Sequence, residues 1–170
     1  IGAKDWRVIE RIQRDVALDW VMFANSITVM KHPKELIAFV GELNRRGVDI
    51  INSAVFHSGV LVGTNYYVYK LISVDMANYK ALFNWRKRFF ELCDVFDIKP
   101  AEACVQFSLN IPGIKSIALN TTNFGLVKTN IDLASVDIPR VFWEEMKAQK
   151  LISRDYPFFF DQIPLQASVY

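Results

Sequence analysis

A chain of 170 residues that is 52% hydrophobic, 14% aromatic and 22% charged, with a formal net charge of +2, excludes a disordered, collagen-like or nucleic-acid-tail protein, because apolar surface is ample and the basic excess mild. Its 13 Phe and mean hydropathy of +0.15 predict one compact core, with apolar surface left over to meet another polypeptide. Cys93 and Cys104 sit in apolar periodic stretches without CxxC spacing, which predicts neither a disulfide framework nor a zinc site, and no apolar run reaches the roughly eighteen residues of a membrane span.

The opening Ile1-Gly2-Ala3-Lys4 carries neither Met nor a basic-then-apolar leader, so a processed chain or a piece of a longer one is expected. Asp5 as N-cap before Trp6, Ile9, Ile12 and Val16 predicts an amphipathic helix over residues 5–15. Trp20-Val21-Met22-Phe23-Ala24 reads as a strand buried on both faces of a parallel sheet. Pro33 in a first turn, apolar Leu36, Ile37, Val40 and Leu43, and Gly47 after Arg45-Arg46 predict a second helix. Val48-Asp49-Ile50-Ile51-Asn52 is the next strand.

A loop with Gly59 and Gly63 follows, then helices over residues 77–96 and 100–109. Ile114-Lys115-Ser116-Ile117-Ala118-Leu119 is a further strand; helical periodicity runs on to Leu133, and a last helix covers 139–151 with Phe142 and Met146 inward. The alternation predicts an α/β architecture with parallel strands and right-handed crossovers. Three clear strands, with Ile1-Gly2 as the stump of a fourth, do not close a barrel, and their edges call for a complementary half, another copy or further chain.

No G-x-G-x-x-G, P-loop, G-x-S-x-G or H-E-x-x-H string occurs. His32 and His57 lie far apart without ligands at metal spacing, so no metal centre is expected. Two segments stand out. In Asn52-Ser53-Ala54-Val55-Phe56-His57-Ser58-Gly59-Val60-Leu61 a strand runs into a small Gly-containing loop, either a functional loop whose backbone can approach a pyrophosphate or an ordinary strand-to-loop turn. Asn120-Thr121-Thr122-Asn123 joins the last strand to a helix, where it either holds a phosphate or simply caps the helix.

Asn130, one turn inside that helix, either reaches a ligand or faces solvent. The stripe Tyr79, Leu82, Phe83, Phe89, Phe90, Cys93 and Phe96 reads as core, and Arg86-Lys87-Arg88 as a solvated face. Tyr156-Pro157-Phe158-Phe159-Phe160 must pack over something, either a substrate mouth or a barrel end.

The order of these elements resembles the carboxyl-terminal half of the aldo-keto reductases, as do the string from Ile51 to Leu61, the segment Asp97-Ile98-Lys99-Pro100-Ala101-Glu102-Ala103-Cys104-Val105-Gln106-Phe107-Ser108-Leu109, and the strand-to-helix run ending at Asn130. The nearest likeness is to the sugar-oxidising branch of the D-threo-aldose 1-dehydrogenase or L-fucose dehydrogenase type, over residues 1–151. The resemblance implies a (β/α)8 TIM barrel that binds NAD or NADP without a Rossmann motif. Residues 1–151 would supply roughly its second half and residues 152–170 an aromatic tail packed over the barrel.

It further implies that the Asp, Tyr, Lys and His of the catalytic tetrad belong to the amino-terminal half. No catalytic residue is then assigned here, and this chain is the cofactor cradle for hydride transfer between the nicotinamide and a sugar or small aldehyde or alcohol. By position, Phe56, Ser58 and Leu61 match the loop that wraps the pyrophosphate, Asn120, Thr121 and Thr122 the loop on the adenosine phosphate side, and Asn130 the helix residue that meets adenine.

Some positions depart from the pattern. Ala3-Lys4 stands where a Ser-Asn pair usually grips the carboxamide, Ala24 where Gln is frequent, and Ser53 where an aromatic often stacks on nicotinamide. Leu126 and Thr129 occupy usually polar or acidic positions near the adenosine. Leu126 offers no charge and Thr122 no guanidinium fork for a 2′-phosphate, which favours NAD over NADP. The expected partners are a small carbonyl or sugar substrate and the amino-terminal half of the barrel or another copy, with no nucleic acid, no membrane and a cytoplasmic location. A catalytically inactive scaffold or regulatory subunit is the competing reading.

Overall fold

The structure, a computed structural model, describes residues 1–156. In chain order the elements are β1 (Gly2–Ala3), α1 (Trp6–Ile12), β2 (Trp20–Ala24), α2 (Lys34–Arg45), β3 (Asp49–Ser53), β4 (Tyr66–Tyr67), β5 (Lys70–Leu71), α3 (Lys80–Val95), α4 (Pro100–Leu109), β6 (Ile114–Ala118), α5 (Leu126–Asp132) and α6 (Arg140–Ala148). Asp5 caps α1, its Oδ1 accepting the Arg7 N–H at 3.1 Å. The helix is shorter than the periodicity suggests: it ends at Ile12, and Val16 is 52% exposed rather than on the buried stripe of Trp6 and Ile9. The chain must leave the helix there to return to the start of β2.

Helix α2 follows Pro33, buries Leu36, Phe39, Val40 and Leu43, and hands over to β3 through Gly47 at φ +78°. That backbone region is open to glycine without a Cβ clash. Pro100 begins α4, and Glu102 closes the first turn by accepting the Lys99 N–H at 2.9 Å.

The sheet runs β1-β2-β3-β6 with every neighbouring pair parallel. The Ile1-Gly2 stump therefore does become a fourth strand, displaced by one residue. Among the described residues the sheet is open at β1 and β6.

Burial corrects one expectation: β2 is not covered on both faces. Val21 and Phe23 are fully buried, Met22 and Ala24 are half-buried, and Trp20 is 47% exposed. β3 alternates in step, with Ile50 and Asn52 buried and Ile51 and Ser53 half-buried, and Met22 sits level with Ile51. Period-two burial of this kind marks a sheet with one packed face.

The packed face meets α1, α2, α4 and α6 in one core that includes Trp6, Phe39, Phe107, Phe142, Trp143 and Met146. The expected aromatic stripe of α3 joins it, with Phe83, Phe89 and Cys93 buried and Tyr79, Leu82, Phe90 and Phe96 packed alongside. At the end of the described chain Tyr156 stacks on Phe107, centroids 4.6 Å apart; the aromatic residues 158–160 lie outside the described residues.

One element had no forewarning. β4 and β5 form an antiparallel hairpin, Tyr66 opposite Leu71 and Tyr67 opposite Lys70. Its two-residue tip, Val68-Tyr69, has φ of 49° and 62°, a shape normally built from Asn-Gly.

Candidate functional site

Because β3 and β6 are parallel neighbours with Ser53 level with Ala118, the loops that leave them emerge side by side. The first turns through Ala54, His57, Ser58 and Gly59, all at positive φ (56°, 49°, 60° and 93°). For the three that carry a Cβ this costs about 1 kcal/mol each, so the surroundings must impose it.

They do so by burial and by internal hydrogen bonds. Val55, His57, Val60 and Leu61 are all at most 2% exposed. The Gly59 and Leu61 N–H groups both donate to Phe56 O, at 2.9 and 3.3 Å, and Thr64 N–H donates back to Gly59 O at 3.1 Å. A Cβ on Gly59 would lie 2.5 Å from Thr64 Oγ1, so the closeness of the two legs requires glycine there.

Arg86, read from the sequence as solvated, instead reaches this loop. Its Nη1 donates to Thr64 O at 2.8 Å and Val60 O at 3.4 Å, and both terminal nitrogens approach Asn65 Oδ1. The guanidinium lies 4.6 Å from the ring centre of Phe83.

The electrostatics around the loop favour an anion. Lys4 follows β1 and Lys31 follows β2, and Ser26 Oγ donates to Lys4 O at 2.7 Å, tying those two ends together. Burial first, then the charges of Lys31 and Lys4, pushes the His57 imidazole down to about 4, so it is neutral. Among the described residues, His57 Nδ1 and the adjacent Ser58 Oγ are buried polar atoms with no hydrogen-bond partner. Such groups are costly unless something completes them, and Ser58 Oγ suits an anionic oxygen beside a lysine field.

The second loop is exposed at Asn120, Thr121 and Thr122. Thr121 Oγ1 accepts the Asn123 N–H at 3.1 Å, and Asn123 Oδ1 accepts the Gly125 N–H at 3.0 Å. These side chains close successive turns before α5, and Gly125, the N-cap residue, supplies no side-chain cap to the helix. Asn130 is half-buried and, with Thr121, lines a cavity of about 340 Å³ whose apolar wall includes Ile117, Leu119 and Val127.

The structure thus brings Thr121 and Asn130 together. It also gives both loops a common base: Phe56 from the first and Ile117 and Leu119 beside the second pack on one small cluster of Val55, Val105 and Leu133. Leu61 differs, being fully buried with its N–H already engaged. Sequence reasoning missed His57 and Arg86. For Arg86 a signal exists, since Phe83, Arg86 and Phe90 share one face of a helix. Among the described residues no group of His, Cys, Asp or Glu is arranged to hold a metal ion, and no helix is long and apolar enough to cross a membrane.

Comparison with known proteins gives this geometry a context. The model of the aldo/keto reductase family matches residues 1–150. The chain is 25% identical over 154 residues to a pyridoxal 4-dehydrogenase of Microbacterium luteolum, covering 90% of this chain and 44% of that protein. It is 24% identical over 161 residues to a D-threo-aldose 1-dehydrogenase of a Pseudomonas species, covering 89% and 46%. The chain therefore spans about half the length of the curated relatives it matches.

Proposed function

We propose that this chain, which belongs to the aldo/keto reductase family, binds a nicotinamide dinucleotide across the loops that follow β3 and β6, as part of an NAD(P)-dependent oxidoreductase. The observation that carries the reading is the shared base of the two loops, which sets the Ser58-Gly59 turn and the Thr121–Asn130 cavity at one end of the parallel sheet. The residues present fit the group: a buried Ser58 Oγ awaiting a partner, two lysines near the turn, and an apolar-walled cavity of about 340 Å³ beside Asn130.

In this reading the Phe56–Leu61 backbone and Ser58 Oγ hold the pyrophosphate. Asn120, Thr121 and Thr122 bind the adenosine phosphate side, and Asn130 orients the adenine. When bound, the nicotinamide supplies the hydride acceptor or donor for a substrate carbon. The substrate we propose is a small aldehyde or hemiacetal, the chemistry common to the pyridoxal and the aldose in the relatives' names.

NAD is preferred to NADP. Leu126 stands 46% exposed at the start of α5 without a charge to offer, and the nearby Lys128 is bound to both oxygens of Asp132 at 2.9 Å. A 2′-phosphate would find no free cation on that helix.

The half-buried face carrying Met22, Ala24, Ile51 and Ser53, with the open edges of β1 and β6, supports a sheet that is one part of a (β/α)8 barrel. The remaining strands would come from a complementary half or another copy.

Titration of the full-length protein with NAD and NADP, followed by tryptophan fluorescence, tests the proposal. A saturable quench, tighter for NAD, is expected; no saturable response to either would overturn it.

A further inference from the structure

We infer that Arg86 is the positioning residue of the Ser58-Gly59 turn, holding from α3 the backbone shape that receives a dinucleotide pyrophosphate; the inference rests on the reading above. The turn is strained, and its own hydrogen bonds and burial are completed by a hold from its second leg. Its two legs meet where Thr64 N–H donates to Gly59 O at 3.1 Å and Thr64 Oγ1 donates to Ser58 O at 3.5 Å. Movement of Thr64 therefore moves the turn directly.

Arg86 fixes Thr64 relative to the rest of the protein. Its Nη1 reaches Thr64 O at 2.8 Å on one leg and Val60 O at 3.4 Å on the other, while Asn65 Oδ1 receives both terminal nitrogens at 3.3–3.4 Å. Asn65 O in turn accepts the Ile72 N–H at 2.8 Å, so the same grip reaches the base of the β4–β5 hairpin.

The anchor is sound because Phe83 is buried in the core and its ring, with that of Phe90, lies 4.6 and 5.9 Å from the guanidinium carbon. Nη1 lies within reach of all three acceptors, Nη2 makes a second approach to Asn65 Oδ1, and the planar group rests on two rings; a lysine ammonium, on a shorter stem and without that plane, keeps only part of this. Burial lowers the Arg86 pKa without neutralising it.

The test compares the full-length wild type with Arg86→Met, Arg86→Lys and Asn65→Ala, using NAD and AMP as probes and amide hydrogen exchange over residues 57–66. Arg86→Met is expected to weaken NAD roughly tenfold and AMP by much less, because AMP carries only one of the two phosphates that the turn receives and otherwise meets the loop after β6. Exchange should accelerate over residues 57–66 and at the adjoining base of the hairpin, and not elsewhere. Arg86→Lys should recover part of the loss, and Asn65→Ala should show a smaller loss of the same kind.

Should Arg86→Met fail to fold, the other two variants carry the same NAD-against-AMP comparison. Unchanged NAD affinity, or an equal loss for NAD and AMP, overturns the positioning role while leaving the dinucleotide reading intact. A wild type that binds neither probe overturns both.

Discussion

The imidazole of His57 lies flat on the phenol ring of Tyr67, with centroids 4.5 Å apart and planes 2° from parallel. This stack joins the loop after β3 to the hairpin and leaves His57 only 2% exposed. Tyr67 meets Tyr79 edge-on at 5.9 Å, so the contact continues to the approach of α3. The loop is therefore held at two points, by this stack and by Arg86.

Acid should destabilise the protein through His57. Its folded pKa is about 4 against 6.5 in the unfolded chain, so between those values the unfolded state binds a proton that the folded state does not. Stability is then complete above pH 6.5 and falls as the pH drops toward 4, by up to about 3 kcal/mol. His32 acts in the same direction, being lowered chiefly by burial, with Nε2 accepting the Ser153 N–H at 3.2 Å. Urea midpoints measured from pH 7 to 4.5 should fall, and more shallowly in His57→Phe; identical slopes in the two proteins would refute the assignment.

Asn52 should act as a buried cross-tie. Its Nδ2 donates to Ile27 O at 3.0 Å and Ser108 Oγ at 2.5 Å, linking β3 to the segment after β2 and to α4. Asn52→Ala strands both acceptors and is expected to cost about 2–3 kcal/mol in chemical denaturation. A double-mutant cycle with Ser108→Ala should return a coupling of about 1 kcal/mol; simple additivity would mean that the pair does not cooperate.

The hairpin tip offers a stabilising change. Val68 and Tyr69 occupy left-handed φ of 49° and 62°, and Tyr69 is 79% exposed, so little packing depends on it. Replacing the pair with Asn-Gly should raise stability by about 1 kcal/mol through relief of strain. A thermal midpoint that does not rise would show that the tip is not strained in solution.

Both thiols should be inert in the folded protein. Burial pushes Cys93 up to about 12 and Cys104 well above its ordinary value, so the reactive thiolate is scarce. An aromatic disulfide reagent should label them only on unfolding; rapid labelling in native buffer would contradict the burial of α3 and α4.

Much of the framework was legible because short-range chemistry specifies it. Asp5, Pro33, Gly47 and Pro100 punctuate helices by local rules, and α4 spans Pro100–Leu109 as its periodicity predicts. The two candidate loops were legible too, since both follow apolar strands. The hairpin was not, because Val68-Tyr69 lacks any residue that advertises a left-handed turn. Arg86 was hidden in a run with Lys87 and Arg88, although Lys87 faces Glu91 at 3.7 Å while Arg86 turns inward.

Spacing along the chain by itself determined the alternation of strands and helices, the burial of both cysteines and where the two loops begin, since each depends on neighbours within a turn or two. Only the tertiary structure decided that Thr121 and Asn130 border one cavity, that Phe56 shares its seat with Ile117 and Leu119, that Leu61 is core, and that Arg86 reaches Thr64. Those contacts depend on β3 pairing with β6 and on α3 packing into the core. Pairing of this kind brings together residues far apart in sequence, and no local propensity encodes it.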